Sequence, residues 1–429
     1  MLDRWFGLRE HATDVRTECM AGLATFLAMA YIMFVNPDIL AAAGMPRDAV
    51  FVATCLAAAI GSAVMGLYAN YPIALAPGMG LNAYFAFSVV NGMGFSWQAA
   101  LGAVFISGCL FIALSLLRVR EWIVNAIPTS LKLAISAGIG LFLAVIGFKN
   151  AGLIVANPAT LIGLGDLHAP AALYASAGLV LIVALEARKV RGGIVIGILA
   201  VTIAALIGGQ AKFAGVFAPP PSLLPTLLQL DIGAALEAGL VTVVLTFFLI
   251  ELFDASGTLV GVAHRAGLLD AQGRLPRLRR ALLADSSAIA AGALLGTSST
   301  TAYIESAAGT AVGGRTGLTA VVVALLFLAA LLFSPLAATV PPFATAPALI
   351  YVAILMSRGL AELSWDDLTE TAPALICALS MPLTFSIAHG IAFGFISYAA
   401  IKLLAGRWRE IPPAVALIAL VFVAKFALA

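Results

Sequence analysis

Two acidic residues interrupt an apolar stretch in the second half of the chain. The stretch 246–261 begins with a run of Phe, Leu and Ile and then carries Glu251 and Asp254. Residues three apart in a helix share one face, and Thr258 continues the same stripe. In a bilayer, a carboxylate near the centre costs about 2.5–3.5 kcal/mol on insertion scales. That cost favours a face that lines a protein cavity, where an ion or substrate is handled, over a helix end that reaches the headgroups.

The composition indicates a polytopic membrane protein. The chain has 429 residues, of which 62% are apolar and 10% charged, with a mean hydropathy of +1.08. Soluble globular proteins are about 45–50% apolar and about 25% charged. The four cysteines form no CxxC motif or Cys/His cluster, so neither a disulfide framework nor a zinc site is indicated. No GxxxxGK[ST] motif or complete dinucleotide fingerprint occurs, so we expect no cofactor and no ATP-driven pumping.

Hydropathy predicts fourteen spans, followed by a short apolar stretch in the C-terminal tail. The first seven form a repeat over 1–209, an external linker follows at 210–232, and the second seven occupy 233–405. The tail, 406–429, carries the additional stretch 413–428. The predicted spans are 20–43, 50–69, 72–90, 96–117, 129–148, 171–187, 193–209, 234–258, 281–296, 299–312, 316–334, 343–360, 371–387 and 388–405.

The basic residues support this topology with a cytoplasmic N-terminus. Of the 23 lysines and arginines, nineteen then fall on the cytoplasmic side, while Arg47, Lys149 and Lys212 fall outside and Lys425 is unassigned. This is a strong positive-inside asymmetry. The basic loop 262–285 is therefore interpreted as a topology determinant and not as a nucleic-acid site.

Spans three and ten cannot form full lipid-exposed helices. Pro77, Gly78 and Gly80 break the third, with Asn82 close behind, and the tenth begins with a Ser/Thr-rich run before Glu305. Irregular backbone is tolerated at membrane depth only inside protein or along a cavity. Interrupted segments at equivalent positions of two halves predict an inverted repeat with a binding site at the repeat interface. Because seven is odd, the second half is inserted in the opposite orientation.

These positions define a candidate site. Half-helices that begin near 76–78 and 303–305 would bring Asn82 and Glu305 towards Glu251 and Asp254 on span eight. Carboxylates there suit the N–H groups of a ligand or a proton taken up in transit. Two other interpretations stay open: Asn82 satisfies broken backbone, or Glu305 is purely structural.

Four motifs resemble one family of transporters over nearly the whole chain. They are TFLAMAYIMFVNP, ALAPGMGLNAYFAF, ELFDASGTLVG and GTSSTTAYIESAAG followed by GGRTGL. In these the chain resembles the AzgA-like hypoxanthine/adenine/guanine permeases of the nucleobase–ascorbate (xanthine/uracil permease) superfamily. The resemblance implies the all-α fold of the uracil permease: fourteen spans in two inverted sevens, with short extended segments in spans three and ten. It also implies a core domain (spans 1–4 and 8–11) and a gate domain (spans 5–7 and 12–14).

The same resemblance implies roles for individual residues. Glu251 and Glu305 would hold the base, Asn82 would shape the site, and Asp254 would serve the transport step. At the start of the tenth-span half-helix, Tyr303 and Ile304 would present backbone to the substrate. The first acid of the span-eight motif is commonly Asp in this branch and is Glu251 here. Where the uracil permease has a histidine, this chain has Ala255, which disfavours a pyrimidine substrate.

The function implied is proton-coupled import of a purine base by a homodimer in the bacterial inner membrane. Glu251, Glu305 or Asp254 would carry the proton. A xanthine, uracil or small-anion carrier on the same fold is the alternative within transport. An intramembrane enzyme is the alternative from another class, with a nucleophile at Ser298, Ser299 or Thr300.

Overall fold

A computed structural model describes residues 2–116, 127–236, 238–270 and 275–428. This part of the chain divides into two compact units. The larger comprises residues 2–116 and 147–348, and the smaller comprises residues 127–146 and 349–428.

Helices dominate the N-terminal half of the described chain. One of them, Ile32–Ala41, contains an internal proline, Pro37, and two others continue into π-helical turns, at Met65–Ala69 and Tyr84–Gly92. The elements are α1 (Leu2–Phe6), α2 (Val15–Met29), α3 (Ile32–Ala41), α4 (Arg47–Val64), β1 (Leu75–Pro77), α5 (Met79–Ala83), α6 (Trp97–Leu116), α7 (Thr129–Asn150), β2 (Ile154–Asn157), β3 (Leu161–Leu164), α8 (Pro170–Ala187) and α9 (Gly193–Ile207).

The C-terminal half also contains one very short strand between helices. Single 3-10 turns occur at Leu331–Phe333, Ser357–Glu362 and Trp408–Glu410. The elements are α10 (Ile232–Ala235), α11 (Ala238–Arg265), α12 (Leu278–Leu295), β4 (Thr300–Ala302), α13 (Ser306–Val312), α14 (Gly317–Ala330), α15 (Ser334–Thr339), α16 (Pro342–Met356), α17 (Leu368–Thr384), α18 (Ile387–Leu404) and α19 (Pro413–Leu428).

Eight helical stretches in the described residues are long and apolar enough to cross a membrane. One of them, Val15–Ala41, joins α2 and α3 across a turn. Shorter apolar helices occur at Gly193–Ile207, Val243–Leu252 and Pro413–Ala424. The predicted helical membrane-protein class is confirmed, whereas the count of fourteen spans stays a prediction.

A two-stranded antiparallel sheet joins the two halves of the chain within the larger unit. Its register pairs Leu75 with Ala302, Ala76 with Thr301 and Pro77 with Thr300. On the other side of β1, the hydroxyl of Ser62 accepts from the Leu75 N–H at 2.9 Å. The pairing supplies partners for backbone groups that a helix would otherwise satisfy, which is the condition for irregular backbone in a protein interior.

Glu18 on α2 holds the start of α14. Its buried carboxylate accepts from the N–H groups of Arg315, Thr316 and Thr319 at 2.9, 3.3 and 3.2 Å, and from the Thr319 hydroxyl at 2.6 Å. These N–H groups precede or open the helix and have no partner within it. A buried acid at this position is therefore a cap for α14.

Helices α17 and α18 pack against each other in the smaller unit and enclose a cluster of charges. The buried ammonium of Lys402 lies 2.8 Å from a carboxylate oxygen of Glu370 and 2.8 Å from one of Glu410. Glu370 also accepts from Ser130 at 2.5 Å and from Tyr398 at 2.8 Å. This cluster ties the beginnings of α7 and α17 to the end of α18.

Asp367 caps α17 beside this cluster. It accepts from the N–H and hydroxyl of Thr369 at 3.0 and 2.7 Å and pairs with Arg407 at 2.8 Å. These hydrogen bonds from Thr369 and Arg407 lower the pKa of Asp367 to about 2.

The segment between α7 and α8 forms a short hairpin. The segment 149–170 contains the hairpin β2–β3, paired from Ile154 with Leu164 to Asn157 with Leu161. Its turn is stabilised by the Asn157 side chain, which accepts from the N–H of Ala159 at 2.8 Å. Local capping of this kind organises a short hairpin without a long alternating pattern.

Candidate substrate-binding site

Asn82 links the two irregular segments on either side of the β1–β4 pair. Its side-chain carbonyl accepts a short hydrogen bond from the hydroxyl of Ser298, and its amide donates to the Pro77 carbonyl at 3.5 Å. Asn82 and Ser298 are both fully buried. Asn82 therefore supports the irregular backbone on both sides of the β1–β4 pair, and this support positions the start of α5.

Tyr303 reaches the same carbonyl from the other half of the chain. Its hydroxyl donates to the Pro77 carbonyl at 2.5 Å, and its N–H donates to the Ala74 carbonyl at 2.9 Å. The next residue, Ile304, has 50% of its side-chain surface exposed. Asn82 and Tyr303 are thus brought together at Pro77, and Ile304 follows directly on an accessible surface.

Glu305 lies immediately before α13 and is half-buried. Its carboxylate accepts from the phenol of Tyr31 at 2.7 Å. Tyr31 is buried in the turn between α2 and α3. Tyr31 lies in the motif TFLAMAYIMFVNP, and no role was predicted for it. The sequence carried no signal for this role, because the predicted span 20–43 runs through Tyr31 without a break.

Glu251 is fully buried on α11 and is held by a second hydroxyl. The Ser107 hydroxyl on α6 donates to its carboxylate at 2.6 Å. One turn further along α6, Phe111 stacks on Phe248 of α11 with ring centroids 4.5 Å apart. The polar contact and the aromatic stack together fix α6 against α11 at the level of this acid.

Helix α11 also packs against α5, β4 and α13. Phe247, one turn before Glu251, meets Tyr84 edge to face with centroids 4.9 Å apart. The elements that carry Glu251, Asn82, Tyr303 and Glu305 are therefore neighbours. Asp254 lies in the same helix, and its side chain is outside the described part of the structure.

Asp285 is a buried acid that the sequence analysis did not identify. It lies on α12 and accepts from the Thr301 hydroxyl at 3.0 Å and from the Ala302 N–H at 3.1 Å. It thereby holds β4, from which Tyr303 and Glu305 follow. An acid within a predicted apolar span was a signal of the same kind as Glu251.

The arrangement presents carboxylates and hydroxyl groups on a fixed scaffold. Carboxylates accept hydrogen bonds from N–H donors, and hydroxyl groups can both donate and accept. In the described residues, no group of three or more His, Cys, Asp or Glu side chains forms a potential metal site. These carboxylates and hydroxyl groups can form hydrogen bonds to a small polar ligand, and the carboxylates can take up and release a proton.

Comparison with known proteins identifies the family. The family model described as "Permease family", that of xanthine and uracil permeases, matches residues 16–393. The chain belongs to this permease family. Its resemblance to the hypoxanthine/adenine/guanine permeases is confirmed, and it is a transporter and not an enzyme. The hypothesis of a nucleophile at Ser298, Ser299 or Thr300 is thereby rejected.

Relatives of this permease are similar over their full length. The "Adenine permease AdeP" of Escherichia coli is 50% identical over 425 residues, covering 99% of this chain and 96% of the relative. The "Guanine/hypoxanthine permease PbuO" of Bacillus subtilis is 47% identical over 425 residues, covering 97% of this chain and 98% of the relative.

The fold of the permease is also found among solved transporters. The transmembrane domain of the cyanobacterial bicarbonate transporter BicA has a TM-score of 0.68 at 16% identity, covering 87% of this chain and 96% of that domain. Murine Slc26a9 in the inward-facing state has a TM-score of 0.66 at 10% identity, covering 91% and 68% of the two chains. At these identities the likeness concerns the fold alone.

Proposed function

We propose that this permease imports purine bases, namely adenine, hypoxanthine or guanine, together with a proton. The observation that carries the proposal is the packing of α11, which carries Glu251, against β4 and against α13, which Glu305 directly precedes, in a chain of this family. The names of the relatives support a purine, since they include an adenine permease and a guanine/hypoxanthine permease.

Purine bases match the hydrogen-bonding character of the candidate site. Each carries ring or exocyclic N–H donors, which Glu251 and Glu305 would accept as charge-assisted hydrogen bonds. Asn82 would shape the site by holding β1 and α5, and Tyr303 and Ile304 would present backbone groups to the base. Asp254, Glu251 or Glu305 would carry the proton, with Asp254 serving the transport step.

Protonation would couple the conformational change of the transporter to the binding of the base. A ligand drives a conformational change only through its different affinities for the two states. An empty, ionised site would carry unpaired charge through a low-dielectric barrier, which is costly. A proton and a bound base remove much of that cost. Access would then alternate by an elevator-like movement of the core domain (spans 1–4 and 8–11) against the gate domain (spans 5–7 and 12–14).

The proposal includes an architecture of fourteen spans in a 7+7 inverted repeat, with spans three and ten interrupted. The N-terminus would be cytoplasmic, the bacterial inner membrane the location, and a homodimer the assembly. Accessibility tags within 210–232 should react from outside the cell, and tags within 266–284 only from the cytoplasm. Finding both segments on one side would contradict the inverted repeat.

Uptake measurements test the transport function directly. Radiolabelled adenine, hypoxanthine, guanine, xanthine and uracil should be compared in a permease-deleted bacterium that expresses this chain. We expect purine uptake that rises as the external pH falls and collapses with a protonophore. Accumulation in proteoliposomes driven by a sodium gradient, at clamped pH and voltage, would overturn proton coupling.

The same panel decides the alternative substrate. The family model is that of xanthine and uracil permeases, which favours xanthine, uracil or another small solute as the second candidate. Uptake of xanthine or uracil without uptake of adenine, hypoxanthine or guanine would establish it.

A further inference from the structure

Two acids of the candidate site, Glu305 and Glu251, each have a hydroxyl group as hydrogen-bond partner. The phenol of Tyr31 donates to Glu305 at 2.7 Å, and the hydroxyl of Ser107 donates to Glu251 at 2.6 Å. Tyr31 and Ser107 are buried and belong to the first half of the chain, Tyr31 in the turn before α3 and Ser107 on α6, whereas both acids belong to the second half. A buried hydroxyl of the first half thus donates to a glutamate of the second half at two separate places in the fold.

A third glutamate in the chain provides a comparison. Glu370, in the smaller unit, also accepts from a serine and a tyrosine, Ser130 and Tyr398, at 2.5 and 2.8 Å. It has in addition the ammonium of Lys402 at 2.8 Å. Among the described residues, no such ion pair involves Glu305. The hydroxyl partners are shared by the two sites, and the cation distinguishes Glu370 from Glu305.

The two kinds of partner respond differently to a proton on the carboxyl group. An ammonium group can only donate, so it pairs with a carboxylate and opposes its protonation. A hydroxyl group can donate to a carboxylate oxygen and can also accept from the O–H of a carboxylic acid. A hydroxyl partner therefore keeps its hydrogen bond in both protonation states, with only a rotation of its own O–H.

We propose that Tyr31 and Ser107 are positioning residues that hold Glu305 and Glu251 in place in both the ionised and the protonated states. The carboxyl groups can then exchange a proton without losing the geometry in which they meet the base. This inference rests on the proposed function, since it assigns these hydroxyls to the site that binds the base and the proton.

The surroundings of Tyr31 fit a fixed partner. Its own carbonyl accepts from the N–H groups of Phe34 and Val35, each at 3.0 Å, which fixes the turn that carries the phenol. Helix α2 packs closely on α13, where a side chain at Gly309 would overlap the Thr25 hydroxyl. Tyr31 and Glu305 consequently belong to one packed assembly, so the hydrogen bond between them would be retained if that assembly moved as a body.

Matched substitutions in a purified preparation test the binding role. The variants Tyr31→Phe and Ser107→Ala remove one hydroxyl each, and Tyr398→Phe and Ser130→Ala remove the same groups from Glu370. Binding of radiolabelled adenine and hypoxanthine should be measured in nanodiscs for the wild type and for these four variants. From the contribution of a hydrogen bond to a charged group, we expect Tyr31→Phe and Ser107→Ala to bind the base about ten- to a hundredfold more weakly than the wild type. The two control variants should bind it less than about twofold more weakly.

An infrared measurement tests the protonation role without a base. The pH-difference spectrum of the wild type should contain a carboxylic C=O band that disappears in Glu305→Gln. In Tyr31→Phe this band should move to higher frequency because the acid has lost its hydrogen bond, whereas Tyr398→Phe should leave it in place.

The results separate the inference from the function on which it rests. A wild-type protein that binds no purine base would refute the proposed substrate, and the infrared comparison would still decide the role of Tyr31. A Glu305 band that stays unchanged in Tyr31→Phe would overturn the inference. Normal base binding in both Tyr31→Phe and Ser107→Ala would overturn it equally.

Discussion

Replacement of Asp285 by alanine should loosen β4 and with it the residues that follow. The Asp285 carboxylate accepts from the Thr301 hydroxyl at 3.0 Å and from the Ala302 N–H at 3.1 Å. Alanine removes the acceptor for both donors in a fully buried position. We therefore expect a loss of stability together with weaker binding of the base, because Tyr303 and Glu305 continue directly from this strand.

The magnitude follows from the two hydrogen bonds. Each bond to a charged acceptor contributes about 1.5–3 kcal/mol, so Asp285→Ala should lower the free energy of unfolding by about 3–6 kcal/mol. Asparagine keeps a neutral acceptor, for which each bond contributes about 0.5–1.5 kcal/mol. Asp285→Asn should therefore lose only about 2–3 kcal/mol. Against a typical total of about 5–15 kcal/mol, the difference between the two variants is readily measurable.

Unfolding in detergent, followed by tryptophan fluorescence, should rank wild type above Asp285→Asn and both above Asp285→Ala. Asp166→Ala is a suitable control, since this exposed acid also accepts a backbone N–H, from His168 at 2.9 Å. It should change the free energy of unfolding by no more than about 0.5 kcal/mol. Equal stability of Asp285→Ala and wild type would refute the assigned role in holding β4.

Four further outcomes are expected. Glu251→Gln and Glu305→Gln should each weaken base binding by about one to two decades and abolish concentrative uptake in transport assays. Asp254→Asn should instead slow transport with binding largely intact, and an equal loss of binding would refute this division of roles. Gly317→Val should prevent correct folding, visible as aggregation in size-exclusion chromatography, because even a Cβ atom there would overlap the backbone of the facing π-helical turn. The lowered pKa of Asp367, about 2, implies a stabilisation that is present above the unfolded pKa of about 3.9 and is lost as pH falls towards the folded value. Asp367→Asn should thus be less stable than wild type at neutral pH in urea titrations, and the difference should vanish near pH 2.

Much of the helical framework could be predicted from local sequence. The apolar stretch 413–428 coincides with α19, Pro413–Leu428. Half-helix starts were expected near 76–78 and 303–305, and the structure begins α5 at Met79 and α13 at Ser306. Runs rich in proline, glycine, serine and threonine change the conformation of the backbone next to them. The positions at which they interrupt helices can therefore be predicted from a single sequence.

The partners of the acids could not be predicted in the same way. Ser107 and Tyr31 lie 144 and 274 positions from the acids they contact. A serine or tyrosine within an apolar helix can equally bond to its own helix or to a neighbour, and only the packing decides. The β1–β4 pairing could not be predicted either, since a strand of three residues is too short to show the alternation of apolar and polar residues that indicates a strand. Glu18 and Asp285 differ from these, because an acid in or beside an apolar span is itself a recognisable signal.

The short sheet can form only after both of its strands have been synthesised. Pro77 and Tyr303, joined by a hydrogen bond, are 226 positions apart in the chain. At about 5–20 residues per second, their synthesis is separated by roughly 10–45 seconds. During that interval β1 has no β4, and Asn82 has no Ser298. A nascent chain that stops in the linker after α9 therefore leaves polar backbone of β1 without its partners in β4. Two separately made halves can restore the pairing only if both are present in the membrane at the same time.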